Sequence, residues 1–255
     1  MKIQYCSDLH LEFAENRAFI KNNPIKPVGE VLILAGDIVP LISIDKHKDF
    51  FDYVSENFSV TYWVPGNHEY YGYDLLKKTK SFQEEIRDNV FLLNNRIVTH
   101  KGVRLILSTL WSHISPPNEL AIQQDVSDFH VIKYGRRKLS VFEFNKFHSE
   151  CVEFLTNALQ ENTIGKTIVV THHVPTLINY PEKYRDSFLN EAFVEELSSL
   201  IEACRPDYWI YGHHHTNTPS FKIGETQMLT NQIGYVALNE HDLYKHDAII
   251  LFDTK

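Results

Sequence analysis

The chain has 255 residues, 43% of them hydrophobic and 23% charged, with a formal net charge of −8. That length can bury a substantial core and sits near the upper size of one domain, so a single domain over residues 1–255 is expected, and the ordinary composition excludes a disordered or fibrous chain. Basic residues run together only in short stretches such as Lys77-Lys78 and Arg136-Arg137-Lys138, so nothing favours non-specific capture of nucleic acid.

Short β-rich runs alternate with segments of helical period, which predicts an α/β architecture with helices on sheet faces. Residues 2–7 and 31–35 read as the first two strands. The spacing of Phe50, Phe51, Val54 and Phe58 predicts a helix over 45–58, followed by a third strand at 60–64. A polar-faced helix is expected at 74–88, then strands at 89–95, 96–100 and 103–110 with a turn at Lys101-Gly102. Residues 112–138 show no clear period, and a stretch that long inside a compact domain suggests a lid or substrate loop. Ser140 followed by Glu143 is a capping box, and Phe144, Phe147, Cys151, Leu155 and Leu159 continue it as one apolar stripe. A buried strand at 167–170, an amphipathic helix at 190–204 and strands at 208–211, 227–237 and 248–252 complete the chain.

Cys6, Cys151 and Cys204 are odd in number, far apart and embedded in apolar stretches, as suits reduced thiols. The first residues enter a strand pattern at once, without the apolar core of a signal peptide, and no apolar stretch approaches the ~20 residues that span a bilayer. A cytoplasmic protein without membrane association is expected.

The metal-capable side chains cluster just after strand-like runs, where α/β folds collect ligands. After the first strand comes Asp8-Leu9-His10. If that segment is extended, its two ends point the same way and can chelate one ion. Gly36-Asp37 follows the second strand, and Gly36 would let the backbone approach an ion closely. Gly66-Asn67-His68-Glu69 follows the third, offering an Asn carbonyl as ligand and a neighbouring imidazole to the substrate. His172-His173 and Gly212-His213-His214-His215 follow two later strands, and His213 and His215 share one side if extended. Taken singly, these motifs most often make turns or structural contacts; their joint occurrence in this order, each at a strand end, carries the reading.

Together the five motifs resemble the signature of calcineurin-like metallophosphoesterases, over residues 8–215. A later Asn231-Gln232-Ile233-Gly234-Tyr235 is similar to a segment of that family in which Pro is commoner at the Gln232 position. The resemblance implies two mixed β-sheets packed face to face and flanked by helices, a four-layer αββα sandwich with a dimetal site at one sheet edge. It implies that Asp8, His10 and His215 hold one ion, that Asn67, His172 and His213 hold the other, and that Asp37 bridges both. His173 also follows its strand, so His172 is the weaker carry-over.

This mixed nitrogen and oxygen set suits two divalent ions of Mn, Fe, Zn, Co or Ni and disfavours Ca and Mg. Water shared by two such ions becomes hydroxide near neutral pH and attacks phosphorus in line. His68, beside Asn67, is the candidate for protonating the leaving oxygen. Tyr70, Tyr71, Trp111, His113, Asp128, Lys133, Arg136 and Arg137 are candidates for substrate contact. The expected activity is hydrolysis of a phosphomonoester or phosphodiester of a small soluble substrate. The alternatives are a protein phosphatase and a non-catalytic metal-binding scaffold on the same fold; a nuclease would need a basic face that the sequence lacks.

Overall fold

The structure is a computed structural model that describes residues 1–78, 80–161 and 164–252. The first half supplies β1 (Lys2–Cys6), α1 (Ala14–Asn22), β2 (Val31–Leu34), α2 (Lys48–Asn57), β3 (Val60–Trp63), β4 (Phe82–Arg87) and β5 (Val90–Asn94). The second supplies β6 (Arg96–His100), β7 (Val103–Ser108), α3 (Glu119–Asp125), α4 (Asp128–Val131), the ribbon β8 (Lys133–Tyr134) and β9 (Arg137–Lys138), then α5 (Val141–Gln160), β10 (Lys166–Thr171), α6 (Ser198–Cys204), β11 (Tyr208–Ile210), β12 (Phe221–Ile223), β13 (Thr226–Leu229) and β14 (Ile249–Leu251).

Two six-stranded sheets form, in the orders β14-β1-β2-β3-β5-β4 and β12-β13-β11-β10-β7-β6. In each, four parallel strands are flanked by an antiparallel strand on either edge. Central strands are buried on both faces, so they read as continuous apolar runs such as Val31-Leu32-Ile33-Leu34 rather than alternating. Side chains alternate between two cores. Ile33 and Tyr62 meet Leu105 and Ile168 between the sheets, while Leu32 and Trp63 pack outward against Phe51 and Val54 of α2. On the far side Ile106, Val169 and Trp209 pack against Leu155 of α5 and Ile201 of α6. The result is the expected four-layer sandwich. No described helix is long and apolar enough to cross a membrane.

One expected helix is not formed and another is shortened. Residues 74–88 give a 3₁₀ turn at Leu75–Lys78 and then β4, which pairs antiparallel with β5 and carries a bulge between Glu85 and Arg87. Its Gln-Glu-Glu centre favours a helix locally, but pairing with β5 prevails, and the exposed charges protect a sheet edge. Residues 190–204 break because Val194 bridges to Val174, leaving α6 to start only at Ser198. The expected strand at 227–237 ends at Leu229, and Val236–Leu238 is a 3₁₀ turn. α1 and β12 carried no signal strong enough to anticipate. Residues 112–138 are folded into α3, α4 and the ribbon, with Ile114, Ile122, Phe129 and Ile132 buried against Phe144 of α5.

The capping box of α5 is present: Ser140 Oγ donates to the Glu143 carboxylate, and Arg137 forks onto the same group through Nη1 at 2.8 Å and Nη2 at 2.6 Å. Hydrogen bonds from Arg137, then from Ser140, hold the Glu143 carboxyl down to about 2. A depressed carboxyl contributes stability that is complete above its unfolded value near 4.5 and is lost as pH falls towards 2. Glu143→Gln is therefore expected to lower stability at pH 7 by about 1 kcal/mol, with the difference from wild type vanishing between pH 4.5 and 2. Urea denaturation across that range reads it out, and a pH-independent difference would remove Glu143 from this account.

Candidate metal centre

β1, β2 and β3 are neighbours in one sheet, and β10 and β11 are neighbours in the other, so the five strand-end loops emerge at one edge of the sandwich. Backbone hydrogen bonds tie them together. Asp8 N–H donates to Gly36 O at 2.9 Å, His10 N–H to Asp37 O at 2.9 Å, and Gly212 N–H to His172 O at 3.0 Å. His213 N–H donates to Asp8 Oδ1 at 3.0 Å, linking the two sheets. Asp8, His10, Asp37, His213 and His215 all have positive φ, between 46° and 77°. This left-handed conformation is uncommon for residues other than glycine and concentrates at functional sites. Two glycines are required here. A Cβ at Gly36 (φ +94°) would run into the His172 ring, and one at Gly66 would strike the Asp37 carboxylate and His172.

Asp8, His10, Asp37 and His215 each present a ligand atom, all within 4.8 Å of one another. His10 donates Nδ1–H to Glu12 Oε1 at 3.2 Å, and His215 donates Nδ1–H to Glu240 Oε2 at 2.8 Å. Their Nε2 atoms consequently turn inward and face each other at 2.9 Å, with Asp8 Oδ1 3.4 Å from His215 Nε2 and Asp37 Oδ2 3.7 Å from His10 Nε2. Two ring nitrogens and two carboxylate oxygens this close hold together only around positive charge: against burial, the Asp8 and Glu240 carboxylates raise His215 to about 10, and a bound cation would take the place of that proton.

Asp37, His172 and His213 form a second such group. His172 donates Nδ1–H to Ala35 O at 3.0 Å, so its Nε2 faces His213 Nδ1 at 3.1 Å, Asn67 Oδ1 at 3.1 Å and Asp37 Oδ1 at 3.3 Å. Asn67 is oriented by its own donor, Nδ2–H to Asp128 Oδ1 at 2.8 Å, which also accepts from Tyr71 at 2.9 Å. Burial opposes charge on His172, but the Asp37 and Asp8 carboxylates raise it to about 9. His173 behaves oppositely: buried, beside His172 and packed near Trp111, it is pushed down to about 3, and its Nδ1 faces Thr109 O. His172 is thus the member of the pair that faces Asp37.

His68 donates Nδ1–H to Glu12 Oε1 at 2.7 Å, leaving Nε2 towards the Tyr235 hydroxyl at 3.4 Å. Burial works against the Glu12 charge, but the His10 and His68 N–H groups hold its carboxyl down to about 2. Glu69 lies beneath the site with four backbone donors on its carboxylate: Gly66 at 2.5 Å, Ile38 at 2.7 Å, Asp37 at 2.8 Å and Val39 at 3.1 Å. It fastens the loop after β2 to the loop after β3. Glu69→Gln turns an amide N–H₂ towards backbone N–H groups, so we expect a loss of about 2–4 kcal/mol in urea denaturation. A cost below about 1 kcal/mol would mean that the loops hold their positions without it.

All seven ligand candidates and His68 therefore converge, but not by strand alternation. Asp8 and His10 are left-handed rather than extended, and His213 and His215 face different groups: His213 faces His172, whereas His215 faces Asp8 and His10. Of the substrate candidates, Tyr71 and Asp128 line the cavity over the site; Tyr70 and Trp111 are core residues, and Arg137 is paired with Glu143. Glu12, Glu240 and Tyr235 were not anticipated as site residues. Glu12 lies two positions after His10, which is a local signal; Glu240 has none. Gln232 binds both sides of the triplet, with Oε1 accepting from His215 N–H at 2.7 Å and Nε2 reaching His214 Nδ1 at 2.8 Å.

Two mixed sheets with Asp and His clusters at the ends of their parallel strands define an α/β phosphoesterase sandwich. The sequence model for calcineurin-like phosphoesterases matches residues 1–217, and the chain belongs to that family. It is 32% identical, over 91% of its own length and 91% of the relative's, to Uncharacterized protein L509 of Acanthamoeba polyphaga mimivirus. Phosphopantetheinyl hydrolase from Mycobacterium tuberculosis shares the fold at a TM-score of 0.71 and 15% identity, covering 99% of this chain and 96% of that one. A dimetal phosphatase from Danio rerio matches at 0.50 and 14%, covering 91% and 87%.

Proposed function

We propose that the chain hydrolyses a phosphomonoester or phosphodiester of a small soluble substrate at two divalent transition-metal ions. The observation that supports this reading most directly is the convergence of acceptor atoms, their imidazole tautomers fixed from behind by Glu12, Glu240 and the Ala35 carbonyl, on two adjoining points that share Asp37. Asp8, His10 and His215 would hold one ion; Asn67, His172 and His213 the other; Asp37 would hold both. Imidazole nitrogens with few carboxylates suit Mn, Fe, Zn, Co or Ni. When bound, such a pair supplies positive charge to the phosphoryl oxygens and lowers the pKa of a shared water to make it a nucleophile.

The remaining work falls to side chains. His68 projects Nε2 into the cavity with its other nitrogen committed to Glu12, the arrangement needed to place a proton on a leaving oxygen. Tyr235 stands 3.4 Å from that Nε2 and closes the same side. The free, largely buried cysteines support placing the enzyme in a reducing compartment such as the cytoplasm. The test is turnover of p-nitrophenyl phosphate and bis(p-nitrophenyl) phosphate after chelation and add-back of Mn, Zn, Ni or Mg. Activity restored by a transition metal is expected. Well-folded, metal-loaded protein inert towards both substrates would sink the proposal.

A further inference from the structure

Resting on the phosphoesterase reading above, we infer that the substrate carries a single phosphate and no other anionic group, and that its organic part is apolar or aromatic. A cavity of about 340 Å³ stands over the two ligand groups, at the small end of small-molecule sites. Tyr180, Tyr184, Leu189, Phe193, Tyr235 and Leu238 supply its apolar and aromatic lining. Leu238 is 66% exposed at the mouth although large apolar side chains are usually covered, and Phe193 stacks on His213 with ring centroids 4.6 Å apart. Apolar surface therefore runs from the ligands to the entrance.

The charge of the lining points the same way. Asp37, Asp125, Asp128 and Glu240 line the cavity, and among the described residues no Lys or Arg does. Asp128 and Glu240 are engaged with Asn67 and His215, whereas Asp125 is exposed at the rim. Lys183 holds its ammonium over the Tyr184 ring, 4.4 Å from the centroid, and is not part of the lining. Among the lining side chains, positive charge for a phosphate is thus confined to the cavity floor, with Lys183 acting on Glu240 and His214 from outside the lining. A second phosphate or a carboxylate on the substrate would meet aromatic rings and the Asp125 carboxylate, a like-charge encounter that the neutral hydroxyls of the lining do not offset as a cation would. Nucleoside diphosphates, sugar bisphosphates and polynucleotides are disfavoured on the same ground.

The experiment compares p-tolyl phosphate with p-carboxyphenyl phosphate, and their p-nitrophenyl diesters if the enzyme prefers diesters. The two rings are nearly the same size, and the carboxylated phenol is the better leaving group, so intrinsic reactivity favours the compound expected to be the poorer substrate. Wild type is expected to show kcat/KM at least roughly tenfold higher for the tolyl ester. Asp125→Arg should shrink that ratio to about threefold or less. Tyr184→Ala should raise KM for the tolyl ester roughly tenfold, with a smaller effect on kcat. Equal or better turnover of the carboxylated ester by wild type, or an unchanged ratio in folded Asp125→Arg, overturns the inference. The phosphoesterase reading then survives on the p-nitrophenyl assays; inertness in those assays too removes both.

Discussion

Asp37→Ala is expected to abolish turnover of either p-nitrophenyl ester, by roughly 10³-fold or more, and to leave the reconstituted protein with about one equivalent of metal or less in place of two. The reason is geometric. Asp37 is the one carboxylate shared by both acceptor groups, with Oδ2 3.7 Å from His10 Nε2 and Oδ1 3.3 Å from His172 Nε2. It also accepts the His68 backbone N–H at 2.9 Å, so its loss disturbs the residue that faces the leaving group. Asp37→Asn separates these roles, because the amide oxygen can keep the bond from His68 while the bridging charge is gone. Both variants are expected to be inactive. Near-wild-type activity with full metal content in Asp37→Asn would rule out Asp37 as a bridge.

His68→Ala should lower kcat by about 10²–10⁴-fold on an alkyl phosphate ester and by much less on a p-nitrophenyl ester, whose leaving oxygen needs little proton assistance. Metal content should stay at the wild-type level, since His68 is not in either group that shares Asp37. Glu12→Gln is expected to lower turnover of both kinds of substrate by roughly 10–100-fold, with the larger loss on the alkyl ester, because Glu12 fixes the His10 ring as well as the His68 ring. A pure packing role for His68, stacked on Tyr71 with centroids 4.0 Å apart, would depress both kinds of substrate equally. The contrast between leaving groups therefore separates proton transfer from scaffolding.

Much of this site was legible along the chain because its chemistry is local. Asp8 to His10, Gly36-Asp37, Asn67 to Glu69, His172-His173 and His213 to His215 each follow an apolar strand directly, and parallel strands must deliver their ends to one edge. The α/β class was legible too, in the alternation of apolar strand runs with helical periods, whereas the four-layer αββα arrangement came through the family resemblance. The strand at 82–87 was not, because Gln83-Glu84-Glu85 favours a helix in isolation and only the long-range pairing with β5 makes it a strand.

Tertiary structure alone decided which atoms face which. Whether His172 or His173 meets Asp37 turned on the Ala35 carbonyl, 137 positions away, and the Thr109 carbonyl, 64 positions away. That Glu240 accepts from the His215 ring, and that Asp128 orients Asn67, depends on contacts between loops with no sequence proximity. The separation of His213 from His215 came from left-handed backbone at both residues, where an extended chain would have kept them on one side. Sequence by itself determined the ligand types and their strand-end placement, because these follow from local pattern; the ring orientations, and the aromatic cavity with no Lys or Arg among its described lining residues, were set by packing between distant segments.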